Sequence, residues 1–281
     1  MKINLKPNAN LVEDSLREKY VAEPGFGKYF TDHMVTAEWN HDSGWSDAEV
    51  RAYGPISLDP AAMVFHYGQE IFEGMKAYRQ PDGSISLFRP DANGSRFNRS
   101  AARIALPEIP IADFVSCVEA LVQQDAKWVP SKIGESLYLR PFMIATEVGL
   151  GVRPSNKALF AVIATPAAAY FNAAKAVTVW ISTEYVRAAL GGTGEAKCGG
   201  NYAASLLAQQ QAAKEGCDQV VWLDAKERRW VEEMGGMNLY FVKGKGKDST
   251  IFTPKLTGTL LAGITRDSIL TAAKDLGYKT E

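Results

Sequence analysis

Gly191-Gly192-Thr193-Gly194-Glu195-Ala196-Lys197-Cys198-Gly199-Gly200-Asn201-Tyr202 is the most glycine-dense stretch of the 281-residue chain, and it holds a single lysine. The run that follows, Tyr202-Ala203-Ala204-Ser205-Leu206-Leu207-Ala208, reads as a helix with Asn201 as its N-cap. A lysine between glycine turns can meet a bound ligand closely, and a desolvated lysine amine attacks a carbonyl carbon to form a Schiff base. The same window also describes an ordinary surface lysine in a glycine-rich loop. What the rest of the chain carries decides between the two.

Hydrophobic residues make up 46% of the chain, enough for a sizeable core, and the length suits one large domain or two smaller ones. A formal net charge of -1 and the lack of a long basic run argue against a nucleic-acid partner. Cys117, Cys198 and Cys217 cannot all pair and form no CxxC, so neither a disulfide framework nor a zinc site is signalled. His33, His41 and His66 are not spaced as metal ligands, and no metal is expected. Met1-Lys2-Ile3-Asn4-Leu5-Lys6 has no apolar signal core, and no apolar run reaches membrane-spanning length. The expectation is a cytoplasmic protein with no membrane partner.

Residues 1–23 read as a polar arm with a short helix. Val50 to Leu58 and Ser84 to Phe88 alternate as strands do, and Pro81-Asp82-Gly83 is a hairpin turn. Asp91 to Arg103 and Ile111 to Val129 carry apolar residues at helical spacing. Leu137 to Phe142 and Ala158 to Ala164 look like buried strands. A run of small residues, Pro166-Ala167-Ala168-Ala169-Tyr170-Phe171, suits an interdomain connection. Beyond it, Val177 to Ile181, Gln219 to Leu223 and Met237 to Val242 read as strands, Asp224 to Glu227 as a turn, and Thr265 to Leu276 as an amphipathic helix. The expected organisation is a small α+β domain over residues 1–165, a connection over 166–176 and a second α+β domain over 177–281, with a site in the cleft between them.

Three features accompany Lys197. In Thr259-Leu260-Leu261-Ala262-Gly263-Ile264-Thr265-Arg266-Asp267 a glycine precedes a helix, a place where backbone N–H groups and the helix dipole bind phosphate; Thr265 could equally be a simple cap. Arg96 suits bidentate phosphate contact, although Arg99 and Arg103 beside it read as exposed helix arginines. Glu233, ahead of Gly235-Gly236, is either a carboxylate buried against a ligand or a solvated turn residue. An amine, an anion cradle, a carboxylate and a phenol at Tyr202 are what a pyridoxal-phosphate site requires: a partner for the aldehyde, a grip on the phosphate, an acceptor for the pyridine nitrogen and a donor to the phenolate oxygen.

Those residues lie within stretches that resemble the branched-chain amino-acid aminotransferases, fold-type-IV pyridoxal-phosphate enzymes. The matching stretches are Phe26 to Met34, His66-Tyr67-Gly68-Gln69-Glu70-Ile71-Phe72-Glu73-Gly74-Met75-Lys76-Ala77-Tyr78, Ser136 to Pro141, Lys197 to Tyr202, Glu233 to Asn238 and Gly263 to Arg266, in family order over nearly the whole chain. The resemblance implies a two-domain α+β architecture with the cofactor in the interdomain cleft. It implies that Lys197 carries the cofactor, that Arg96 and the Ile264-Thr265 turn grip its phosphate, and that Glu233 meets the pyridine nitrogen. Tyr202 then meets the phenolate oxygen, and Leu261 packs on the ring face. Phe26, Tyr67, Tyr138 and Tyr170 form the aromatic wall around the substrate side chain, and Arg140 meets the distal carboxylate of glutamate. Leu150 and Val152 belong to a loop that closes the pocket of a neighbouring subunit, so a homodimer is implied.

The implied reaction moves the amino group of leucine, isoleucine or valine to 2-oxoglutarate, with amino acids and 2-oxo acids as the small-molecule partners. A D-amino-acid aminotransferase of the same fold, and a cofactor-binding chain without turnover, are the alternatives. Two departures from the family bear on this. Its members continue past the position of Glu281, so the large domain is expected to be incomplete at its C-terminus. Gly236 stands where some relatives carry a hydroxyl residue.

Overall fold

The computed structural model describes residues 1–168 and 176–281. The chain divides into two compact units, Met1–Ala174 and Lys175–Glu281. Tyr170, expected in the aromatic wall, and most of the expected interdomain connection lie outside the described residues.

The first unit is built on a nine-stranded sheet. Its elements in chain order are β1 (Ile3–Leu5), α1 (Asp14–Ala22), β2 (His33–Asn40), β3 (Gly44–Trp45), β4 (Ala48–Ala52), α2 (Met63–Tyr67), β5 (Glu70–Phe72), β6 (Met75–Arg79), β7 (Ile85–Leu87), α3 (Pro90–Arg103), α4 (Ile111–Gln124), β8 (Ser136–Ala145) and β9 (Lys157–Ala167). The strand order is β1-β4-β2-β9-β8-β6-β7, with β3 paired to β2 and β5 to β8. The hairpin expected at Pro81-Asp82-Gly83 joins β6 to β7.

Helix α4 buries Phe114, Cys117, Val118, Leu121 and Val122, a single stripe at helical spacing. Phe114 meets Phe97 of α3 at 5.3 Å and Phe160 of β9 at 5.9 Å between ring centroids. All three rings are fully buried, each worth about 1.5–3 kcal/mol in removal from water. The helix stops at Gln124 rather than running to Val129. The Asp125 carboxylate accepts the backbone N–H of His33 at 3.0 Å and pairs with its ring Nδ1 at 2.7 Å, drawing the chain into a 3-10 turn over Ala126–Trp128.

Two prolines set details of the sheet. Pro141 of β8 has no N–H to give to the ladder, and it lies opposite the break between β5 and β6. Its carbonyl accepts the N–H of Glu73 at 2.7 Å, which holds Glu73 and Gly74 in that break. Pro166 lies inside β9 rather than in a linker, paired with Leu137. A proline is tolerated there because the pairing of β9 with β2 ends at Val162. The strand expected from Val50 to Leu58 ends at Ala52, where its register with β2 reaches His33, the first residue of that strand.

The second unit contains β10 (Val179–Ser182), α5 (Gly199–Ala203), α6 (Leu206–Lys214), β11 (Gln219–Leu223), β12 (Val231–Met234), β13 (Phe241–Lys243), β14 (Thr250–Phe252), α7 (Ile264–Asp275) and β15 (Lys279–Thr280). Strands β10-β11-β12 form one sheet and β13-β14-β15 another. Ala208 and Ala212 of α6 pack on Val220 and Trp222 of β11, and the Trp222 indole N–H donates to Gly235 O at 3.0 Å. The strand expected over Met237 to Val242 divides differently. Val231–Met234 pairs with β11, so Glu232 and Glu233 lie in a strand, and only Phe241–Lys243 of the later run is strand. Among the described residues no helix is long and apolar enough to cross a membrane, and no group of His, Cys, Asp and Glu is placed to hold a metal ion.

Candidate active site

The glycine-rich loop is pressed against its neighbours. A Cβ on Gly194 would collide with Thr259 O and with Ala188 Cβ, so only glycine fits this approach. Asn201 is not the N-cap expected of it. Cys198 takes that position, and Asn201 lies inside α5 with its side chain turned back to the loop. Its amide donates to Thr193 O at 2.8 Å and to Ala196 O at 2.7 Å, and Thr193 Oγ1 donates to its Oδ1 at 2.7 Å. One buried asparagine thus ties two residues of the loop, Thr193 and Ala196, to the helix that follows through three hydrogen bonds. The helix read as Tyr202 to Ala208 is in fact two, broken at Ala204-Ser205.

This bracing sets Lys197. It is half-buried, and its Nζ donates to Tyr202 Oη at 2.8 Å. Gly236 lies beside the same ring, where a Cβ would stand 3.4 Å from Tyr202 Cε1. Gly236 therefore borders the Lys197–Tyr202 pair.

Glu233 is 1% exposed, which excludes a solvated turn residue. Its Oε1 accepts the Leu261 N–H at 3.0 Å and the Asn238 side-chain amide at 3.1 Å. Its Oε2 lies 2.6 Å from Arg187 Nε as an ion pair, outside hydrogen-bond alignment, and makes no hydrogen bond among the described residues. Burial pushes the Glu233 carboxyl up from its ordinary value, while Arg187, the Leu261 N–H and Lys197 pull it back. A buried carboxylate oxygen without a hydrogen bond calls for a donor.

Helix α7 starts at Ile264 with Gly263 as its N-cap and no side-chain cap bond, so Thr265 is not the cap. Thr265 is exposed in the first turn, where helical N–H groups and the dipole favour an anion. A Cβ on Gly263 would collide with Asn238 Oδ1. Asn238 therefore spans β12, through Glu233, and the turn into α7, through Leu261 O at 3.0 Å.

In the first unit, Arg96 is buried on α3, unlike the exposed Arg99 and Arg103. Its Nε and Nη2 meet the two oxygens of Glu73 at 2.7 and 2.8 Å. Asn93 donates to the same carboxylate at 2.7 Å. Next in sequence, Gly74 faces Tyr138, whose hydroxyl would clash with any Cβ there. Tyr138 meets Phe26 edge-on at 5.1 Å. Its hydroxyl also accepts Arg140 Nη2 at 3.0 Å, and the Arg140 guanidinium stands 4.6 Å over the ring of Phe72. Arg140 Nε is buried and makes no hydrogen bond among the described residues. Tyr67 donates its hydroxyl to Leu150 O, which anchors the loop whose Leu150 and Val152 side chains are 65% and 86% exposed.

The expected residues thus form two groups. Phe26, Arg96, Tyr138 and Arg140, with Tyr67, Leu150 and Val152, belong to the first unit, whereas Lys197, Tyr202, Glu233, Leu261, Ile264 and Thr265 belong to the second. Sequence reasoning missed Phe72, Glu73 and Asn93 in the first, and Arg187, Asn201 as a loop brace and Asn238 in the second. Glu73 stood inside a matching stretch and was legible there. Arg187, in Glu184-Tyr185-Val186-Arg187-Ala188, carries no local pattern that would single it out.

Residues 70–281 match the sequence profile of amino-transferase class IV. The chain belongs to this family. More particularly, it is 61% identical to a Streptomyces coelicolor protein named "Probable branched-chain-amino-acid aminotransferase", over 99% of this chain and 76% of that protein. It is 60% identical to the branched-chain-amino-acid aminotransferase of Mycolicibacterium smegmatis, over 100% of this chain and 77% of that protein. The crystal structure of the T.th. branched-chain amino acid aminotransferase with pyridoxamine 5'-phosphate superposes with a TM-score of 0.68 at 27% identity, covering 87% of this chain and 75% of that one.

Proposed function

We propose that this chain is a branched-chain amino-acid aminotransferase that uses pyridoxal 5'-phosphate to move the amino group of leucine, isoleucine or valine to 2-oxoglutarate. The observation that carries the reading is the Lys197 amine held 2.8 Å from the Tyr202 hydroxyl, in the same unit as the buried Glu233 carboxylate, whose Oε2 is ion-paired with Arg187 and makes no hydrogen bond among the described residues. When bound, the cofactor supplies an electron sink for the substrate's α-carbon.

The chain's own residues do the rest. Lys197 would hold the cofactor, and its amine is the group that would take the proton from the substrate α-carbon as general base. Tyr202 supplies a hydrogen bond at the phenolate oxygen and orients the lysine. Glu233, as a carboxylate, keeps the pyridine nitrogen protonated. Leu261 would cover the ring face, while Arg96 and the Ile264-Thr265 turn would hold the phosphate. Phe26, Tyr67 and Tyr138 bound an apolar side chain, and Arg140 takes the distal carboxylate of glutamate in the second half-reaction. Leu150 and Val152 serve a neighbouring subunit in a homodimer. The site of action is the cytoplasm.

The test is direct. The purified chain is mixed with pyridoxal 5'-phosphate, leucine and 2-oxoglutarate, and glutamate formation is followed. The expected result is a visible absorbance band from the lysine-bound cofactor, trapped by borohydride at Lys197, with turnover of leucine. A chain that takes up the cofactor on another lysine, or not at all, refutes the reading.

A further inference from the structure

We propose that Arg187 is a positioning residue whose guanidinium keeps Glu233 ionised and ties that carboxylate to the loop carrying Lys197 and to the turn carrying Leu261. The proposal rests on the reading of Lys197, Glu233 and Leu261 as cofactor-holding residues.

The geometry is that of a hub. The Arg187 and Glu233 side chains are 7% and 2% exposed. Arg187 Nη1 donates to Thr259 O at 2.8 Å and to Gly194 O at 3.2 Å, and Nη2 donates to Gly194 O at 3.2 Å. Gly194 lies three residues before Lys197 and Thr259 two before Leu261. With its two terminal nitrogens fixed on main-chain carbonyls, the planar guanidinium has little rotational freedom, and its Nε is left at Glu233 Oε2, 2.6 Å away. The missing Cβ of Gly194 is what lets the loop approach Thr259 closely enough for both carbonyls to reach one arginine. A lysine presents a single point charge and cannot span the same acceptors.

The charge balance explains why the contact matters to chemistry as well as to folding. Arg187 and Lys197 favour the Glu233 charge, while Glu232, the adjacent residue on β12, opposes it. Glu232 is itself buried, with Oε1 accepting the Thr259 hydroxyl and Oε2 without a hydrogen bond among the described residues. Without Arg187, Glu233 would keep the Lys197 charge in its favour but lie beside a second buried carboxylate, Glu232. In a dry site the cheaper response is to take up a proton. A protonated Glu233 offers a donor where the pyridine nitrogen needs an acceptor, so losing Arg187 removes the function of Glu233 without touching it.

The experiment follows the Glu233 carboxyl by NMR in the apoprotein carrying ¹³C-labelled glutamate, the signal being assigned by its absence in Glu233→Gln. Arg187→Gln should raise its titration midpoint by at least about one pH unit, a tenfold gain in proton affinity. Arg187→Lys, which keeps the charge, should restore most of that shift. Both should speed amide exchange over Gly194–Lys197 about tenfold or more, since neither reaches both carbonyls. An unchanged midpoint in Arg187→Gln overturns the electrostatic role. If that variant does not fold, unchanged exchange over Gly194–Lys197 in Arg187→Lys overturns the positioning role. A parent chain that binds no pyridoxal 5'-phosphate refutes the functional reading by itself, whereas the titration judges the Arg187 link in the apoprotein whatever that outcome.

Discussion

Arg96 and Glu73 form a buried two-point ion pair, Nε to Oε1 at 2.7 Å and Nη2 to Oε2 at 2.8 Å, on side chains 8% and 0% exposed. The break between β5 and β6 opposite Pro141 places Glu73, and the carboxylate also accepts the Asn93 side-chain amide, from the same helix as Arg96, and the Gly74 N–H. Removing one member of such a pair strands the other's charge out of water. Glu73→Ala should therefore destabilise the chain by about 3–5 kcal/mol in chemical denaturation. A loss below about 1 kcal/mol would show that water reaches Arg96 readily.

Gly74→Ala tests how tightly the aromatic wall is built. The added methyl would overlap the Tyr138 hydroxyl, and Tyr138 is also the partner of Arg140 and of Phe26. The ring must move, at a cost of about 1–3 kcal/mol, and Arg140 loses its hydroxyl contact. Turnover of leucine and of 2-oxoglutarate should both fall. Parent-like kinetics with both would mean that Tyr138 does not border the substrate.

Lys197→Ala should leave a folded protein without transaminase activity, because the lysine amine is the proposed base while the loop itself is held by Asn201 and Arg187. Circular dichroism and thermal melting close to the parent, with no glutamate formed from leucine and 2-oxoglutarate, are the expected results.

Arg140→Ala should separate the two half-reactions. Glutamate puts a charge at the far end of the substrate, whereas leucine puts methyl groups there. Without the guanidinium over Phe72 that carboxylate would lie unpaired among aromatic rings. Single-turnover rates, followed by cofactor absorbance, should fall far more with glutamate than with leucine. Equal slowing would assign Arg140 to the shared α-carboxylate or to the fold.

Glu233 also predicts a pH dependence of stability. Burial raises its carboxyl above the ordinary glutamate value, so the folded chain holds this proton more tightly than the unfolded chain. Its contribution to stability is therefore fullest below the unfolded value, near pH 4, and declines as pH rises through the folded value. The stability difference between the parent and Glu233→Gln should shrink as pH rises over that window and level off above it. A difference that grows with pH would mean that Arg187 and the Leu261 N–H outweigh burial. At neutral pH the same variant should keep the cofactor and lose most of its turnover.

The local features of the chain were legible from short-range patterns. The stripe of Phe114, Cys117, Val118, Leu121 and Val122 marks α4, the turn at Pro81-Asp82-Gly83 marks a hairpin, and Gly191 to Tyr202 marks the lysine loop. Each rests on backbone preferences and periodicity within a few residues, which any reader of the sequence can apply. What these patterns could not supply are the contacts between distant segments. Asn201, by its residue type a helix cap, turns inward because Thr193 O and Ala196 O lie within its reach. Glu233, which reads as a turn residue, lies in a strand because Val231–Met234 pairs with β11, and its partners come from Arg187, Asn238 and Leu261. Residue type and order along the chain thus point to the family and to Lys197 as the candidate lysine. Which side chain meets Glu233, and whether that carboxylate is charged, is decided only by folding, because burial and long-range approach set the local dielectric and bring each partner within hydrogen-bond distance.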